Sequence, residues 1–243
     1  MNTITPKSSL LLVLGGLVVV LGGLYFFLAP KHSSVSVEYN PKINPTDFTT
    51  NITNKYFSLA PGLKMVYEGG GERDEITVTG AKKTIMGVET LVYHDIVWLN
   101  GVLKEDTLDY VAQDKAGNVW YFGEDVSNYN TNGTLKDHAG GWIAGVNGAK
   151  PGIWMEANPK VGDKYRQEYY KGEAEDLGEV VSLHEMVTVP AGTYRNCIKT
   201  LDTSAIEPLL KEYKYYCAEV RGLVLEMDAV SGERTELTEF IKK

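Results

Sequence analysis

Residues 105–125 read EDTLDYVAQDKAGNVWYFGED, and this stretch predicts the β-hairpin around which the rest of the chain is organised. Within it, residues 114–118 (DKAGN) have turn chemistry, because Asp favours the start of a type I turn and Gly supplies a residue with positive φ. A three-residue loop with a bulge then fixes the register and gives one apolar, aromatic face, which we expect to be the core face. The predicted facing pairs on it are Ala112 with Trp120, Tyr110 with Phe122, and Leu108 with Glu124.

The opposite face of this hairpin is acidic. In the predicted register Glu105, Asp109 and Asp125 project from one surface near its open end. Carboxylate oxygens are the ligands that Ca²⁺ prefers, so these three residues form a candidate metal site. Two alternatives stay open: a solvated polar sheet face, and a carboxylate pair acting as acid and base in glycoside hydrolysis.

The remaining pattern predicts an all-β body. Short apolar–polar alternations, separated by Gly, Pro and Asn turns, recur from residue 51 to residue 243, and no long amphipathic helix pattern interrupts them. Strands at such even spacing are typical of an antiparallel sheet. We expect one strongly curved sheet, a half-barrel or barrel-like fold, as a single domain over residues 51–243.

The N-terminal region predicts a membrane anchor. Residues 10–29 read LLLVLGGLVVVLGGLYFFLA, twenty residues without a charge, which is enough for a helix to span a bilayer. A cleaved signal peptide is the alternative, but cleavage after Ala29 would put Phe27 where a small residue is needed. We therefore expect an anchor in residues 1–30 and a Ser-, Pro- and Asn-rich tether in residues 31–50, giving a single-pass protein of the cell membrane.

Charge and cysteines indicate where the body lies. Without Lys7, the one charge in residues 1–30, the chain has 23 basic and 32 acidic residues, which disfavours nucleic acid and anionic lipid surfaces as partners. Cys197 and Cys217 have no metal-ligand spacing. If the body is extracytoplasmic, they are expected to form a disulfide; two buried free thiols are the alternative.

After the hairpin, residues 123–162 are rich in glycine and carry several aromatic side chains with little periodicity. A loop of this length is uncommon and suggests function. It predicts either a wall over a cavity or a packed excursion that covers a sheet edge. Tyr129, Trp142 and Trp154 in this segment, with Tyr121 before it, are candidate ligand-binding residues, for which core packing is the alternative role.

Several stretches resemble a family of uncharacterised bacterial exported proteins and lipoproteins. They are residues 54–62 (NKYFSLAPG), 105–125, 141–176 (GWIAGVNGAKPGIWMEANPKVGDKYRQEYYKGEAED), 189–194 (VPAGTY) and 214–216 (KYY). The resemblance implies an extracytoplasmic, all-β, half-barrel domain and brings no reaction or functional residue. The chain departs from the family in lacking a lipid-attached cysteine near its start and in reading CAEVRG after KYY.

No sequence motif points to an enzyme. His184 and Glu185 form half of a zincin motif without its second histidine, and no GxSxG, Walker or GxGxxG sequence occurs. Three functions remain: a domain that binds or carries a small apolar or amphipathic, lipid-like ligand, an envelope interaction module without a pocket, and a carboxylate-based hydrolase. The first predicts a cavity of about 300 Å³ or more between sheet and excursion.

Overall fold

The structure, a computed structural model, describes residues 39–242, and these residues form an all-β antiparallel fold with one short 3₁₀ turn at Pro45–Asp47. The first nine strands are β1 (Phe48–Thr49), β2 (Ile52–Thr53), β3 (Ser58–Leu59), β4 (Lys64–Gly69), β5 (Glu72–Ile85), β6 (Val88–Leu99), β7 (Val102–Asp114), β8 (Val119–Tyr129) and β9 (Leu135–Asp137). The others are β10 (Trp142–Ile143), β11 (Lys150–Met155), β12 (Lys164–Arg166), β13 (Glu168–Tyr169), β14 (Asp176–Val189), β15 (Gly192–Ser204), β16 (Lys211–Cys217), β17 (Gly222–Asp228) and β18 (Arg234–Ile241).

The main sheet curves into a nearly closed barrel, which confirms the predicted fold class. Its strand order is β12-β14-β15-β16-β17-β18-β4-β5-β6-β7-β8-β11-β13. The two ends of this path, β12 and β13, are successive parts of the single stretch 164–169. That stretch pairs with β14 on one side and with β11 on the other, where the pairs are Lys150↔Tyr169 and Pro151↔Glu168. The sheet is therefore nearly closed on itself.

Residues 39–49, the second part of the predicted tether, lie against the barrel. The Tyr39 hydroxyl donates to the Pro151 carbonyl oxygen at 2.8 Å, and its ring packs edge-on against Tyr169. Strand β1 pairs with β7 through Phe48↔Asp114. Residues 39–49 therefore pack against the barrel and contribute a strand to its main sheet. No helix in residues 39–242 has the length and apolar character needed to cross a membrane, and the predicted anchor at residues 10–29 lies outside the described residues.

The barrel interior has an aromatic cluster at its centre. Phe57, in the turn between β2 and β3, has its ring centroid 5.1 Å from Trp154, 6.1 Å from Tyr93 and 6.3 Å from Tyr216. These three partners belong to β11, β6 and β16, which are well separated in the sheet. A ring that touches all three must lie inside the barrel, so the side chains that share a face with Tyr93 line the interior.

The predicted disulfide is present between β15 and β16, where it links Cys197 and Cys217 across 20 residues. Both residues are fully buried, beside the paired residues Ile198 and Tyr216. The bond confirms the pairing expected from the sequence and is typical of proteins that fold outside the cytoplasm.

We expect reduction of this bond to lower the free energy of unfolding by about 3 kcal/mol, the loop-entropy value for a closed loop of this length. Urea denaturation with and without dithiothreitol measures it. The matched control is the double variant C197A/C217A, whose stability should not respond to dithiothreitol. An unchanged stability of the wild-type chain after verified reduction would contradict the expectation.

Candidate functional site

The β7–β8 hairpin has the predicted loop. The Asp114 amide donates to the Asn118 carbonyl oxygen at 2.9 Å, and Gly117, with φ of 93°, donates to the Asp114 carbonyl oxygen. Ala112 is paired with Trp120, as predicted. The chemistry of residues 114–118 therefore sets the register over the first pairs of the hairpin.

Beyond these pairs a bulge at Gly123 shifts the register by one residue. Asp109 is paired with Glu124 and Leu108 with Asp125, where the sequence predicted Leu108 opposite Glu124. Gly123 has φ of 127°, and a Cβ on it would lie 2.3 Å from the Trp142 carbonyl oxygen of β10. Because β10 approaches so closely, the bulge needs glycine at this position.

The apolar face of the hairpin is a core face, as predicted, but the opposite face is the one that lines the barrel interior. Tyr93, which lies inside the barrel, is paired with Asp109, so the face with Asp109 and Tyr121 lines the interior. The apolar face is buried as well, but it is covered from the other side, where Phe48 packs edge-on against Trp120 and Phe122. Both faces of this hairpin are therefore largely buried. The alternation in the sequence separates a polar face, which lines the barrel interior, from an apolar face, which is covered from outside the barrel.

The bulge also separates the three candidate metal ligands. Glu105 and Asp109 lie inside the barrel with 3% and 0% of their surface exposed, so this face is not the solvated polar surface that was one alternative. Asp125 projects from the other face, where it accepts hydrogen bonds from Lys83 Nζ at 2.7 Å and the Tyr110 hydroxyl at 2.5 Å. The expectation that all three share one surface is wrong. Among residues 39–242 no group of three His, Cys, Asp or Glu side chains is arranged to hold a metal ion, and Ca²⁺ binding stays a prediction.

The interior carries a layer of buried acidic side chains that the sequence analysis did not identify as a group. We call it the acid layer. Its members, each less than a tenth exposed, are Glu72, Asp74, Asp95, Glu105, Asp109, Glu124, Glu168, Asp202, Glu212 and Glu226. Lys214 is the one basic residue that is comparably buried in the described part of the chain; its Nζ lies 3.4 Å from Asp202, 3.6 Å from Glu226 and 3.8 Å from Glu212.

Part of the acid layer is satisfied by neutral donors. The Tyr121 hydroxyl donates to Asp109 Oδ1 at 2.5 Å, and Trp142 Nε1 donates to Glu168 Oε2 at 2.9 Å. Other oxygens, including Oε1 of Glu72 and Oε1 of Glu212, accept no hydrogen bond from a protein donor. Since an unpaired charge in the barrel interior is very costly, these carboxyl groups must be protonated or be neutralised by another partner.

The electrostatics of the layer follow from this burial. Burial, with the nearby Glu226 and Asp95 carboxylates, raises the pKa of Glu72 to about 8. Burial likewise raises the pKa of Asp74 to about 8, partly opposed by a hydrogen bond with Asp95. Burial and the charge of Asp74 hold the pKa of Asp95 well above its usual range. A proton shared between Asp74 and Asp95 satisfies both carboxyl groups, as in other paired acids.

Three of the four candidate ligand-binding residues come together. The Tyr121 ring lies 5.3 Å from Trp142 and 4.8 Å from Trp154, both edge-on, and all three side chains are buried. Tyr129 lies apart, at the end of β8, where it is paired with Leu135. The aromatic residues therefore combine core packing with one position, Trp142, at the wall of a cavity.

The glycine-rich segment runs along the edge of β8 that does not pair with β7, and a half-open cavity lies between the segment and this edge. Strands β9, β10 and β11 all pair with β8, which agrees with both predicted roles, covering a sheet edge and walling a cavity. The cavity has a volume of about 460 Å³, and we call it the excursion cavity. Its lining residues are Glu124, Asp125, Val126, Ser127, His138, Gly141, Trp142, Ile143, Val146, Asn147, Ala149 and Tyr170.

One polar group at the cavity wall is already engaged with the backbone. His138 Nδ1 donates to the Val126 carbonyl oxygen at 2.6 Å, which caps an edge position of β8 between its pairings with β9 and β10. His138, Asn147 and Tyr170 were not among the candidate residues. The sequence offered one signal for these three residues. They are polar or aromatic side chains that lie in the glycine-rich segment or just after it.

No family model matches the chain, and no curated protein matches it. The chain is similar to a solved structure from Bacteroides fragilis NCTC 9343, described as an exported protein with a YmcC-like fold. The two share 14% identity with a TM-score of 0.44, and the match covers 77% of this chain and 99% of that chain.

Proposed function

We propose that this chain is a membrane-anchored, extracytoplasmic domain that binds a small amphipathic ligand in the excursion cavity. The observation that carries the proposal is the cavity itself, whose volume of about 460 Å³ exceeds the lower limit for ligand pockets of about 300 Å³. It lies where the sequence predicted it, between the sheet and residues 123–162. The alternative function, an envelope interaction module without a pocket, does not account for this cavity.

The lining supports an amphipathic ligand over a purely apolar one. Val126, Ile143, Val146 and Ala149 offer apolar surface, while Ser127, Asn147 and His138 offer polar groups on the same walls. Ligand pockets commonly combine a mainly apolar lining with a few polar groups that orient the ligand. The extracytoplasmic location is supported by the Cys197–Cys217 disulfide and by the uncharged stretch at residues 10–29.

We expect Val146→Trp to block the cavity, because Val146 lines it and is 52% exposed, so that the larger side chain can occupy the space without disturbing the core. The test is photolabelling of the full-length chain in lipid nanodiscs with dodecanol carrying a diazirine, and mapping of the labelled residues by mass spectrometry. Wild-type chain should be labelled within residues 124–149, and Val146→Trp should reduce this labelling about tenfold, or about 1.4 kcal/mol in affinity.

The matched control is Met186→Trp on β14, since Met186 is 60% exposed and does not line the cavity. It should leave the labelling of residues 124–149 unchanged. Absence of labelling there in the wild-type chain, or equal loss in both variants, would contradict the proposed function.

A further inference from the structure

The two most exposed large aliphatic side chains in the described part of the chain lie on neighbouring loops. Leu209 is 92% exposed in the loop between β15 and β16, and Val230 is 80% exposed in the turn between β17 and β18. The Ala229 amide donates to the Lys211 carbonyl oxygen at 2.8 Å, which joins the two loops. Apolar residues scattered singly over a surface need no explanation, but these two belong to loops that are bonded to each other.

Ordered turns display both side chains. The Leu210 amide donates to the Glu207 carbonyl oxygen at 2.9 Å, so Leu209 occupies a central position of a turn. Asp228 Oδ1 accepts a hydrogen bond from the Val230 amide at 2.8 Å, which fixes the second loop. Turns favour Gly, Pro, Asn, Asp and Ser, each for a reason of backbone geometry or hydrogen bonding. The turns themselves therefore do not explain why Leu and Val are exposed there.

We call residues 205–211 and 228–233 the tip surface, and it lies at the end of the barrel opposite the β7–β8 turn. Strand β18 pairs antiparallel with β4, so the β17–β18 turn adjoins the β4–β5 turn. The β6–β7 turn adjoins the β4–β5 turn as well, because the Asn100 amide donates to the Gly71 carbonyl oxygen at 2.7 Å. Strand β7 starts at this end and leads away from the tip surface to the β7–β8 turn.

The chain joins the barrel near the tip surface and then runs away from it. Tyr39 packs against Tyr169, the last residue of β13. The β13–β14 turn follows, and at its far side the Glu175 carbonyl oxygen accepts a hydrogen bond from the Ala205 amide at 3.1 Å, where the tip surface begins. From Tyr39 the chain leads to β1, which pairs with the end of β7 at the opposite end of the barrel.

We propose that the tip surface binds the lipid bilayer, with Leu209 and Val230 entering the boundary between head groups and acyl chains. The inference rests on the membrane anchor at residues 10–29 that the proposed function includes. Nine residues, 30–38, separate that stretch from Tyr39, and a chain of that length spans about 30 Å at most. A bilayer that holds the anchor is therefore within reach of the loops beside Tyr39.

The charge of the tip surface favours a neutral lipid surface. Its one basic residue, Lys211, stands against the acidic residues Glu207, Asp228 and Glu233. Anionic head groups attract clusters of basic residues, which this surface lacks. The apolar side chains therefore supply the contact, and membrane binding of this kind scales with the apolar area that is buried. We expect the contact to persist at high salt, since salt screens charges and not apolar contacts.

The test uses the full-length chain in phosphatidylcholine nanodiscs that contain a phospholipid with a diazirine in its acyl chain. Labelled residues are mapped by mass spectrometry, with the labelling of residues 10–29 as internal reference. Both loops of the tip surface should be labelled. The double variant Leu209→Ser/Val230→Ser should reduce this labelling about tenfold, because two apolar side chains no longer favour burial in lipid. Met186→Ser, at a 60% exposed position on β14, is the matched control and should change nothing.

Further readouts separate this contact from its alternatives. In the wild-type chain, labelling around Met186 equal to that of the tip surface would overturn the inference. So would a loss of tip labelling at high salt, which would indicate attraction by charge. A dimer in detergent that the double variant abolishes would assign the tip surface to a second copy of the chain and overturn the inference too.

Failure of this inference is distinguishable from failure of the proposed function. In the double variant, dodecanol should still label residues 124–149 as in the wild-type chain, because the tip surface and the excursion cavity share no residue. A wild-type chain that nanodiscs retain, but whose tip surface is not labelled, would overturn the inference and leave the proposed function standing. A chain that nanodiscs do not retain would remove the anchor from the proposed function and the inference with it.

Discussion

Lys214→Met should lower the free energy of unfolding by about 3–5 kcal/mol at pH 8, the range for removing one partner of a buried ion pair. Lys214 lies among Asp202, Glu212 and Glu226 and is itself 6% exposed. Burial alone would lower the pKa of Lys214, but the charges of Glu226, Asp202 and Glu212 raise it well above its usual value. Removal of this charge leaves its carboxylate partners without a counter-charge.

The cost should be smaller at pH 5, because the carboxyl groups around position 214 can then take up protons in place of the lost cation. Burial already raises the pKa of Glu212 and of Glu226. Urea denaturation followed by tryptophan fluorescence at both pH values measures the difference. If Lys214→Met does not fold at pH 8, Lys214→Arg, which keeps the charge, should still fold and be clearly more stable.

The matched control is Lys164→Met, which removes an ion pair between Lys164 and Glu179 at the surface, where the lysine side chain is 71% exposed. Exposed pairs contribute little, so a change within about 0.5 kcal/mol is expected there. A Lys214→Met variant as stable as the Lys164→Met control at pH 8 would show that Lys214 does not compensate the acid layer.

The second large effect concerns pH. The stability of the wild-type chain should fall by at least about 2 kcal/mol between pH 5 and pH 8, since each pKa unit of difference between folded and unfolded states corresponds to about 1.4 kcal/mol. Burial raises the pKa of both Glu72 and Asp74 to about 8. Such groups bind more protons in the folded than in the unfolded chain over this window, so their contribution is present at low pH and is lost as the pH rises through 8.

Carboxylates with lowered pKa do not oppose this trend in the same window. Hydrogen bonds from Lys83 and Tyr110 lower the pKa of Asp125 despite its partial burial, and backbone hydrogen bonds lower that of Asp228. The stability that these two groups contribute is lost only as the pH falls through their lowered values, below the range considered. Ordinary globular proteins are most stable between about pH 5 and 8, so a decline across that interval is distinctive.

The variant that tests the cause is Asp74→Asn, which replaces a group holding a proton by an amide of the same shape. It should be more stable than wild type at pH 8, similar at pH 5, and have a shallower pH slope in urea denaturation. Glu239→Gln, an exposed substitution, should keep the wild-type slope. A wild-type stability that rises or stays constant between pH 5 and 8 would contradict the protonated acid layer.

Local chemistry explains which parts of the hairpin were predictable. Residues 114–118 adopt the expected loop because Asp, Gly and Asn each meet a backbone requirement of that turn. The register fails after Gly123, where the reason for the bulge is the approach of β10, a strand about twenty residues further along the chain. A glycine inside a strand is a recognised sign of a bulge, but it does not say where the extra residue falls.

The acid layer was hidden for a different reason. Alternation correctly places Glu105 and Asp109 on one face of β7, but a polar face is ordinarily a solvent face in an antiparallel sheet. It becomes an interior only because the sheet closes through β18 with β4 and through β12 with β14. Those contacts join distant parts of the chain, and no local pattern in residues 105–125 reports them. The place of the excursion cavity was predicted from the glycines and aromatic residues of this segment, whereas of its lining residues Trp142 alone was a predicted ligand-binding residue.

The pairing of β18 with β4 has a consequence for biogenesis. It joins Ile241 to Lys64, near the two ends of the folded body, and β4 lies between β18 and β5 in the ring. The barrel therefore cannot be completed until residues 234–241 have been made and delivered to the compartment where folding occurs. Until then β4 lacks its partner β18 and the ring of strands stays open, and pairing over such long sequence separations is intrinsically slow.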